Sequence, residues 1–359
     1  MSGCWSHIFR KTLCVIGGTV TDRTARTGIV DVARRAGVSV STVSQVLGGN
    51  RPVSAATRAR VLAAIEELDY RPHPGARSMR SQTTETVALI VPDITNPFYP
   101  LVAAGMQDVL MPAGYMLSII DATVPIRNVS DALRHTLARR VDGVVIASYG
   151  LSAADEKLLA TSDARVVALG RDLRGLEADT VESDDIGGIR SIVDHLIEQG
   201  RRRIAFIGGE EDADPSQLRL TGYADAIAGG GASVEAAGQV FTAFTREGGM
   251  RGVELLLERG GDIDAIVCAN DLIAIGAMQS LAERGIDVPG TIAVTGYDDI
   301  EAASLISPTL TTVDNPAREI GRACARLLLE RLSGTVGDTN RRVTLSNRLI
   351  VRQSSTARP

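Results

Sequence analysis

The chain has few residues of the kinds that carry covalent or metal chemistry. Its 359 residues include four cysteines and four histidines, and neither type occurs at the spacing of a CxxC pair or a metal site. Cys268 lies in an apolar run and Cys324 in a helical pattern, so we expect buried free thiols. We therefore predict a protein of the reducing cytoplasm that uses no metal ion and no cofactor.

Long apolar runs and common catalytic motifs are also missing. No apolar run approaches the ~20 residues of a membrane-spanning helix, which excludes such a helix. The chain lacks GxGxxG, GxxxxGK(S/T), GxSxG and HExxH, and the pair Gly208-Gly209 is weak evidence for a nucleotide loop. We therefore expect no catalytic residues and no enzymatic activity. Aromatic residues make up only 3% of the chain, which leaves few side chains to stack on a flat ligand such as a purine.

The charge of the chain is divided unevenly. Residues 1–80 carry 12 Lys and Arg against 5 Asp and Glu, whereas the remaining residues carry 26 against 38. A basic N-terminal segment on an acidic body favours a polyanionic partner for that segment only. The length also predicts more than one domain.

Residues 27–72 have the pattern of a small three-helix unit. Gly37 stands where the first helix must stop, Ser39 can cap the second helix, and Ser54 can cap the third. The predicted buried faces are Ile29, Val32, Ala33 and Ala36, then Val43, Val46 and Leu47, then Val61, Leu62, Ile65 and Leu68.

The outward face of the second helix carries short, neutral, hydrogen-bonding side chains. This composition is typical of a recognition helix that enters the DNA major groove, although a plain three-helix bundle fits the same pattern. Flanking arginines are candidate phosphate contacts: Arg34, Arg35, Arg51, Arg58 and Arg60.

The stretches DVARRAGVSVSTVSQVL, VSAATRARVLAAIEELDYRP and ARSMR resemble the DNA-binding headpiece of the LacI/GalR family, without a gap over residues 31–80. The resemblance implies a sequence-specific DNA-binding regulator with a headpiece at 27–72 and a hinge at 73–84. It implies that DNA is contacted by Val40, Ser41, Thr42, Ser44, Gln45, Arg51, Arg77 and Met79. Gln45 stands where the family often has Arg, and Gln pairs with adenine where Arg favours guanine. Residues 1–26 match nothing, and we expect a disordered leader or a true start nearer Val20.

From residue 85 onward, short apolar runs alternate with amphipathic helical patterns. Such alternation predicts an α/β fold with parallel sheets covered on both faces, and the number of runs predicts two doubly wound lobes over residues 85–359. The predicted strands are 87–92, 116–121, 143–147, 165–169, 203–208, 265–269 and 292–296.

Polar and aromatic residues follow five of these runs, at 93–99, 170–172, 208–219, 270–271 and 297–299. Any one group could be a helix cap or a loop aromatic, but strand ends of this kind are where ligands bind in open α/β sheets. NPFY, QLRLTGY, CANDLIAIGAM and VTGYDDIEAASLISPTLTTV resemble the periplasmic-binding-protein-like effector domain of the same family. The resemblance implies that the effector is contacted by Phe98, Tyr99, Arg171, Arg219, Asn270 and Asp298.

Together these features predict a repressor whose affinity for DNA is controlled by a small ligand, favoured to be a sugar. A regulator that responds to a purine or another metabolite, and a sugar-binding transport protein, are the alternatives. The expected partners are a near-palindromic double-stranded operator and the effector, with no membrane association. No apolar heptad repeat follows the C-terminal strand, so we expect a homodimer without a coiled-coil tetramerisation module.

Met79 generates a prediction for the hinge. In the resembled family the equivalent segment folds on the operator, and a Leu at this position wedges between base steps in the minor groove. Met is apolar and similar in volume, so Met79→Ala should lower specific affinity and DNA bending, because the wedge offsets an unstacking cost of a few kcal/mol. Non-specific affinity should barely change. Wild-type bending and operator affinity in circular-permutation gel shifts would show that the linker is only a tether.

Overall fold

A computed structural model describes residues 27–48, 52–70, 83–122, 129–147, 151–170, 173, 176, 178–337 and 339–356. They belong to two compact units that divide between positions 80 and 81. The predictions for the leader and for most of the hinge lie outside the described residues. So do those for Arg51, Arg77, Met79 and Arg171.

The first unit consists of three short helices, α1 (Ile29–Ala36), α2 (Val40–Gly48) and α3 (Ala55–Glu67). Gly37 ends α1 with a left-handed φ of 65°, which glycine adopts without steric cost. The Oγ of Ser39 accepts the Thr42 backbone N–H at 3.1 Å, and the Oγ of Ser54 accepts that of Thr57 at 3.3 Å. The predicted stop and both predicted caps are confirmed.

The core of this unit differs from the prediction at two positions, Leu62 and Ala64. Its buried residues are Val32, Ala33, Ala36, Val43, Val46, Val61 and Ala64. Leu62 is 51% exposed, so the expectation that it is buried was wrong. Val61 and Ala64 lie three residues apart and take the inner face of α3, and Leu62 is rotated by about 100° from Val61, toward solvent.

The second unit is an α/β structure. Its strands are β1 (Thr86–Val91), β2 (Met116–Asp121), β3 (Gly143–Ile146), β4 (Arg165–Leu169), β5 (Asp179–Ser183), β6 (Arg203–Gly208), β7 (Glu235–Phe241), β8 (Ala265–Cys268), β9 (Ala293–Thr295), β10 (Thr312–Asp314), β11 (Arg342–Leu345) and β12 (Arg348–Ile350). Its helices are α4 (Phe98–Leu110), α5 (Val129–Ala138), α6 (Ala153–Ala160), α7 (Asp185–Glu198), α8 (Asp214–Gly229), α9 (Arg246–Glu258), α10 (Asp271–Glu283), α11 (Glu301–Leu305) and α12 (Ala317–Ser333).

The strands of this unit form two parallel sheets, each at the centre of one lobe. In the described part of the chain, lobe one has the strand order β11-β5-β4-β3-β1-β2 and lobe two has the order β7-β6-β8-β9. Strands β10 and β12 pair antiparallel in segments through which the chain passes between the lobes. Each sheet has its own apolar cores, so the prediction of two doubly wound lobes is confirmed.

All seven predicted strands are present, but β5, β7, β10 and β11 were not predicted. Strand β5 has the sequence DTVES, and β7 begins with Glu and contains Gly238, so neither reads as an apolar run. Strand β5 is nevertheless buried at Asp179, Thr180 and Val181 because β4 and β11 pair with its two edges.

Asp179 is fully buried and joins three elements of lobe one. Its carboxylate accepts hydrogen bonds from the guanidinium groups of Arg331 on α12 at 2.7 Å and of Arg341 at 2.6 Å. The backbone N–H of Arg341 donates at 2.9 Å. Burial opposes ionisation, but these hydrogen bonds outweigh it and lower the pKa of Asp179 to about 2. A paired buried carboxylate therefore stabilises the strand that the apolar pattern does not predict.

Asp179→Asn should destabilise the second unit by about 3 kcal/mol, because it leaves two arginines short of their partner. The native pKa lies below the unfolded value, so the stabilisation is present above about pH 4 and is lost as the pH falls toward 2. Urea denaturation between pH 7 and pH 3 should show the two proteins converging in acid. Asp262→Asn, which removes an exposed ion pair with Arg203, is the control and should cost less than about 1 kcal/mol.

Within the described residues, no helix is long and apolar enough to cross a membrane. The same residues contain no group of three or more histidine, cysteine or acidic side chains that could hold a metal ion. Cys268 and Cys324 are buried free thiols, as predicted, and Cys4 and Cys14 lie outside the description.

Candidate functional site

A cavity of about 70 Å³ lies where the strand ends of the two lobes face each other. Lobe one contributes residues at the start of α4 and after β3 and β4, and lobe two contributes residues from α8 and after β8 and β9. Five of the six predicted effector contacts line this cavity, namely Phe98, Tyr99, Arg219, Asn270 and Asp298. Arg171 is outside the described residues, although its neighbour Gly170 lines the cavity.

Arg219 on α8 is the buried cation of the site. Its Nε donates to Asp185 at 2.8 Å, and its Nη1 donates to the carbonyl of Ala269 at 2.6 Å. Its guanidinium carbon lies 3.9 Å from the centre of the Tyr297 ring. Burial disfavours the charge, but the carboxylates of Asp185 and Asp298 outweigh this effect and raise the pKa of Arg219. The guanidinium is thus held in one orientation by groups from several elements.

Asp298 follows β9 and has a φ of 111°, a backbone conformation that residues other than glycine rarely adopt. Its Oδ1 accepts a hydrogen bond from the Asn315 amide at 3.0 Å and lies 3.7 Å from Nη2 of Arg219. Burial, only partly offset by Arg219 and Asn315, raises the pKa of Asp298 to about 6. Strained, partly desolvated groups of this kind concentrate at binding sites.

Asn270 both caps a helix and faces the cavity. Its Oδ1 accepts the backbone N–H of Ile273 at 2.9 Å at the start of α10. Its amide nitrogen makes only a long contact of 3.4 Å with the carbonyl of Phe244. The helix-cap explanation is therefore correct for the oxygen.

Phe98 and Tyr99 form the aromatic wall of lobe one, with their rings edge to face and 5.3 Å apart. Phe244, from the segment between β7 and α9, adds an aromatic surface on lobe two. Gly209 makes room for it, because a Cβ at this position would lie 2.1 Å from the Phe244 ring. The Gly208-Gly209 pair therefore has a packing explanation.

Phe244, Asp185 and Asn315 line the cavity but were not predicted from the sequence. Asp185 follows β5, a strand that was not predicted because its sequence is polar. Asn315 directly follows β10, a strand of three residues that was not predicted, so the rule used for the other strand ends did not reach it. Phe244 lies in a loop, and no pattern in the sequence marks it.

Three acidic residues in the predicted strand-end groups have structural roles. The carboxylate of buried Asp271 accepts the Thr312 hydroxyl at 2.5 Å and the Ile300 N–H at 2.8 Å. Asp299 pairs with Arg352 at 2.7 Å, and Asp93 accepts the Thr95 N–H at 2.8 Å within its own turn.

In the first unit, α2 presents the side chains predicted to read DNA. Val40 and Ser41 are exposed, and Thr42, Ser44 and Gln45 are half-buried at the edge of the same face. The hydroxyl groups of Ser41 and Thr42 hydrogen-bond to Ser39 at 2.7 and 2.8 Å, which holds the start of the helix together. The face carries no formal charge, as its sequence predicts.

Among the flanking arginines that the structure describes, two are paired with acidic residues. Arg34 contacts Asp31 at 3.2 Å on α1, and Arg35 contacts Glu67 on α3 at 2.6 Å. Arg58 and Arg60 are exposed on α3. Exposed ion pairs of this type are weak, so Arg34 and Arg35 can exchange them for phosphate.

The chain has a helix-turn-helix unit followed by a two-lobed unit with a polar interlobe cavity. This combination defines a DNA-binding protein with an attached small-molecule binding domain. Comparison with known families gives the same two parts: bacterial regulatory proteins of the lacI family match residues 28–73, and a periplasmic binding protein-like domain matches residues 193–355.

Individual relatives match nearly the whole chain. The ribose operon repressor of Escherichia coli K12 is 33% identical over 305 residues, which is 84% of this chain and 92% of the repressor. A cellobiose complex of the transcriptional regulator CelR is 33% identical with a TM-score of 0.70, covering 92% of this chain and all of CelR. A lac repressor dimer bound to operator is 25% identical with a TM-score of 0.81, covering 93% of this chain and all of the repressor chain. The protein belongs to the lacI family of bacterial regulatory proteins.

The raised pKa of Asp298 makes stability depend on pH in a definite direction. The native carboxyl binds a proton more tightly than the unfolded one, so its stabilising contribution is full below about pH 4 and is lost as the pH rises through 6. Relative to Asp298→Asn, the wild-type protein should gain about 2 kcal/mol when the pH falls from 7.5 to 4.5. Denaturant titrations of both proteins measure this difference, and a constant difference across the range would contradict the assignment.

Proposed function

We propose that this regulator is a repressor that binds a near-palindromic operator as a homodimer, and that an uncharged, hydroxyl-rich ligand in the interlobe cavity controls its affinity for DNA. The observation that carries the proposal is the set of polar atoms around the cavity. Arg219 and Asn270 offer donors, and Asp298 and Asn315 offer acceptors. A sugar hydroxyl both donates and accepts, so neighbouring hydroxyls satisfy both kinds of partner.

The charges around the cavity favour an uncharged ligand. Among the described lining residues, Asp185 and Asp298 are acidic and Arg219 is basic. Arg219 is paired with Asp185 at 2.8 Å and lies 3.7 Å from Asp298, so this cation already has two acidic partners and a phosphate group would lie near both carboxylates. Two of the relatives named above also favour a sugar as the ligand, since the name of one contains ribose and CelR forms a complex with cellobiose.

Effector contacts are proposed for Phe98, Tyr99, Arg219, Asn270 and Asp298, with Arg171 beside Gly170 as a sixth. Aromatic rings on both sides of the cavity can cover the apolar faces of a sugar ring while the polar atoms bind its hydroxyls. The same rings would also accept a purine, which is the second candidate ligand. Since both lobes supply contacts, ligand binding stabilises one arrangement of the lobes over others, and this preference is what can reach the DNA-binding unit.

Operator recognition is proposed for α2. Val40, Ser41, Thr42, Ser44 and Gln45 would face the base edges, and Arg51, Arg77 and Met79 would act at the flanks and in the minor groove. A protein that acts on DNA in this way works in the cytoplasm of a bacterium.

A homodimer is supported by an exposed apolar edge in lobe one. Strand β2 is the edge strand of its sheet, and its Met116 is 73% exposed and Ile119 41% exposed. Leu101 and Met111, on or just after the neighbouring helix α4, are exposed as well. An apolar edge strand of this kind is unfavourable in water and is usually covered by a partner. The lac repressor structure similar to this chain is a dimer on its operator.

Arg219→Ala tests the proposal. It should weaken ligand binding by about 2–5 kcal/mol, because it leaves buried carboxylates without their cation. Affinity for operator DNA should stay close to wild type, since the proposed DNA contacts belong to the other unit. Fluorescence anisotropy on DNA from the promoter of its own gene, with and without a panel of monosaccharides, cellobiose and purine bases, measures both properties.

The matched control is Arg246→Ala, which removes an exposed arginine of α9 paired with Glu247 and should respond to ligand like the wild type. If wild-type protein binds promoter DNA and random DNA equally well, the regulator proposal fails. If Arg219→Ala keeps its full response to the ligand, the cavity is not the effector site.

A further inference from the structure

Asn347 lies in the segment that leads from lobe one back to lobe two. It stands between β11, a strand of the lobe-one sheet, and β12. By Ser354 the chain has joined lobe two, because the carbonyl of Ser354 accepts the Val294 N–H of β9 at 2.9 Å. Asn347 is not among the described residues that line the cavity, and no sequence pattern used above assigns it a role.

The side-chain amide of Asn347 contacts two other elements. Its Nδ2 donates to the backbone carbonyl of Asp184 at 2.9 Å and to the hydroxyl of Tyr297 at 2.6 Å. Asp184 lies between β5 of lobe one and α7, which packs in the core of lobe two, and Tyr297 follows β9 of lobe two. One amide therefore joins two segments that cross between the lobes and fastens them to lobe two.

These contacts have a determined direction. An exchanged amide would place its oxygen 2.9 Å from the Asp184 carbonyl oxygen, and two acceptors repel each other. The Tyr297 hydroxyl therefore accepts from the amide and keeps its own proton. Burial and the nearby carboxylate of Asp185 raise the pKa of Tyr297, so the hydroxyl stays protonated. The guanidinium carbon of Arg219 lies 3.9 Å from the centre of the same ring, so a single side chain separates the amide from the cation of the cavity.

Gly188 on α7 makes room for this contact. A Cβ at this position would lie 2.8 Å from Nδ2 of Asn347 and 2.8 Å from the ring of Tyr297. Glycine is unfavourable inside a helix, so a larger residue would be favoured here if the space were not occupied. Packing and hydrogen bonding therefore fix the same position of the amide.

From this geometry we infer that Asn347 is a positioning residue for the lobes, whose amide holds the segment between β11 and β12 against Tyr297 and favours one arrangement of lobe one relative to lobe two. A rotation of the lobes alters the backbone of the crossing segments, and it would separate the amide from partners that belong to different segments. The hydrogen bonds therefore stabilise the described arrangement over others. The inference goes beyond the proposed function because it concerns the protein before any ligand binds.

The test measures the distance between the lobes directly, in the full-length protein. Spin labels on exposed positions of the two lobes, introduced by Ala160→Cys and Glu258→Cys, report this distance by pulsed electron paramagnetic resonance. The two cysteines before residue 20 are replaced by serine, and the buried Cys268 and Cys324 stay. Labelled chains are mixed with an excess of unlabelled chains, so that distances between two copies do not contribute.

Asn347→Ala should increase the population of other interlobe distances about fivefold, the change expected for the loss of one hydrogen bond. Tyr297→Phe, which keeps the ring beside Arg219 and removes only the hydroxyl, should have a similar effect and serves if the alanine variant folds poorly. The double variant should broaden the distribution little more than either single variant, because both changes remove the same contact.

Tyr223→Phe is the matched control, since it also removes a buried hydroxyl from lobe two, where the Tyr223 hydroxyl donates to the Ile204 carbonyl at 2.7 Å. It should lower stability and leave the distance distribution unchanged. A distribution of wild-type width in both test variants would overturn the inference, and so would equal broadening in Tyr223→Phe. If the variants behave as expected but no sugar or purine changes the affinity of the wild-type protein for its promoter DNA, the proposed function fails and the inference stands.

Discussion

The buried guanidinium of Arg219 is the interaction on which the cavity depends. One side chain on α8 contacts Asp185 at the start of α7, the carbonyl of Ala269 after β8 and the ring of Tyr297 after β9. A cation in this position is favourable only while its acidic partners stay close, because its desolvation costs several kcal/mol. The network therefore keeps the strand ends of lobe two at fixed positions before any ligand arrives.

The charge balance of this network also determines what the cavity is able to bind. Asp185 pairs with Arg219 at 2.8 Å, whereas Asp298 lies 3.7 Å from the same guanidinium, has a raised pKa and accepts one side-chain amide. That amide belongs to Asn315, in a segment that leads from lobe two to lobe one. A ligand that hydrogen-bonds to Asp298 and Asn315 thus acts on a segment through which the lobes are connected. Through this segment, the hydrogen bonds that a particular ligand makes can influence the relative position of the two lobes.

The two units separate the two recognition tasks by their chemistry. Helix α2, for which operator recognition is proposed, presents hydroxyl, amide and methyl groups without charge, and groups of this kind can read base edges by hydrogen-bond pattern and shape. The cavity of the second unit has ionised groups that are buried and paired. A buried ion pair is favourable only in a preorganised fold, so the large second unit supplies the rigid surroundings that a three-helix headpiece is too small to supply.

The sequence by itself determined the helix-turn-helix unit, its caps, the alternation of strands and helices, and the side chains around the cavity that follow apolar strands. These features are local, because a cap or an apolar run of a strand depends on neighbours within a few residues. The tertiary structure decided the rest. Strand β5 is buried although its sequence is polar, because Arg331 and Arg341 neutralise Asp179 from segments about 150 residues away. Leu62 is exposed because Val61 and Ala64 occupy the inner face of its helix.

For the cavity the same distinction holds. The family resemblance, together with the strand-end groups, predicted Arg219, Asn270 and Asp298, but it did not predict which atoms of each side chain have structural roles. Only the fold shows that Asn270 uses its oxygen as a helix cap, that Asp271 is a structural carboxylate, and that the amide of Asn315 is oriented by Asp298. Hydrogen-bond partners are set by three-dimensional proximity, and a linear pattern of residue types does not contain that information.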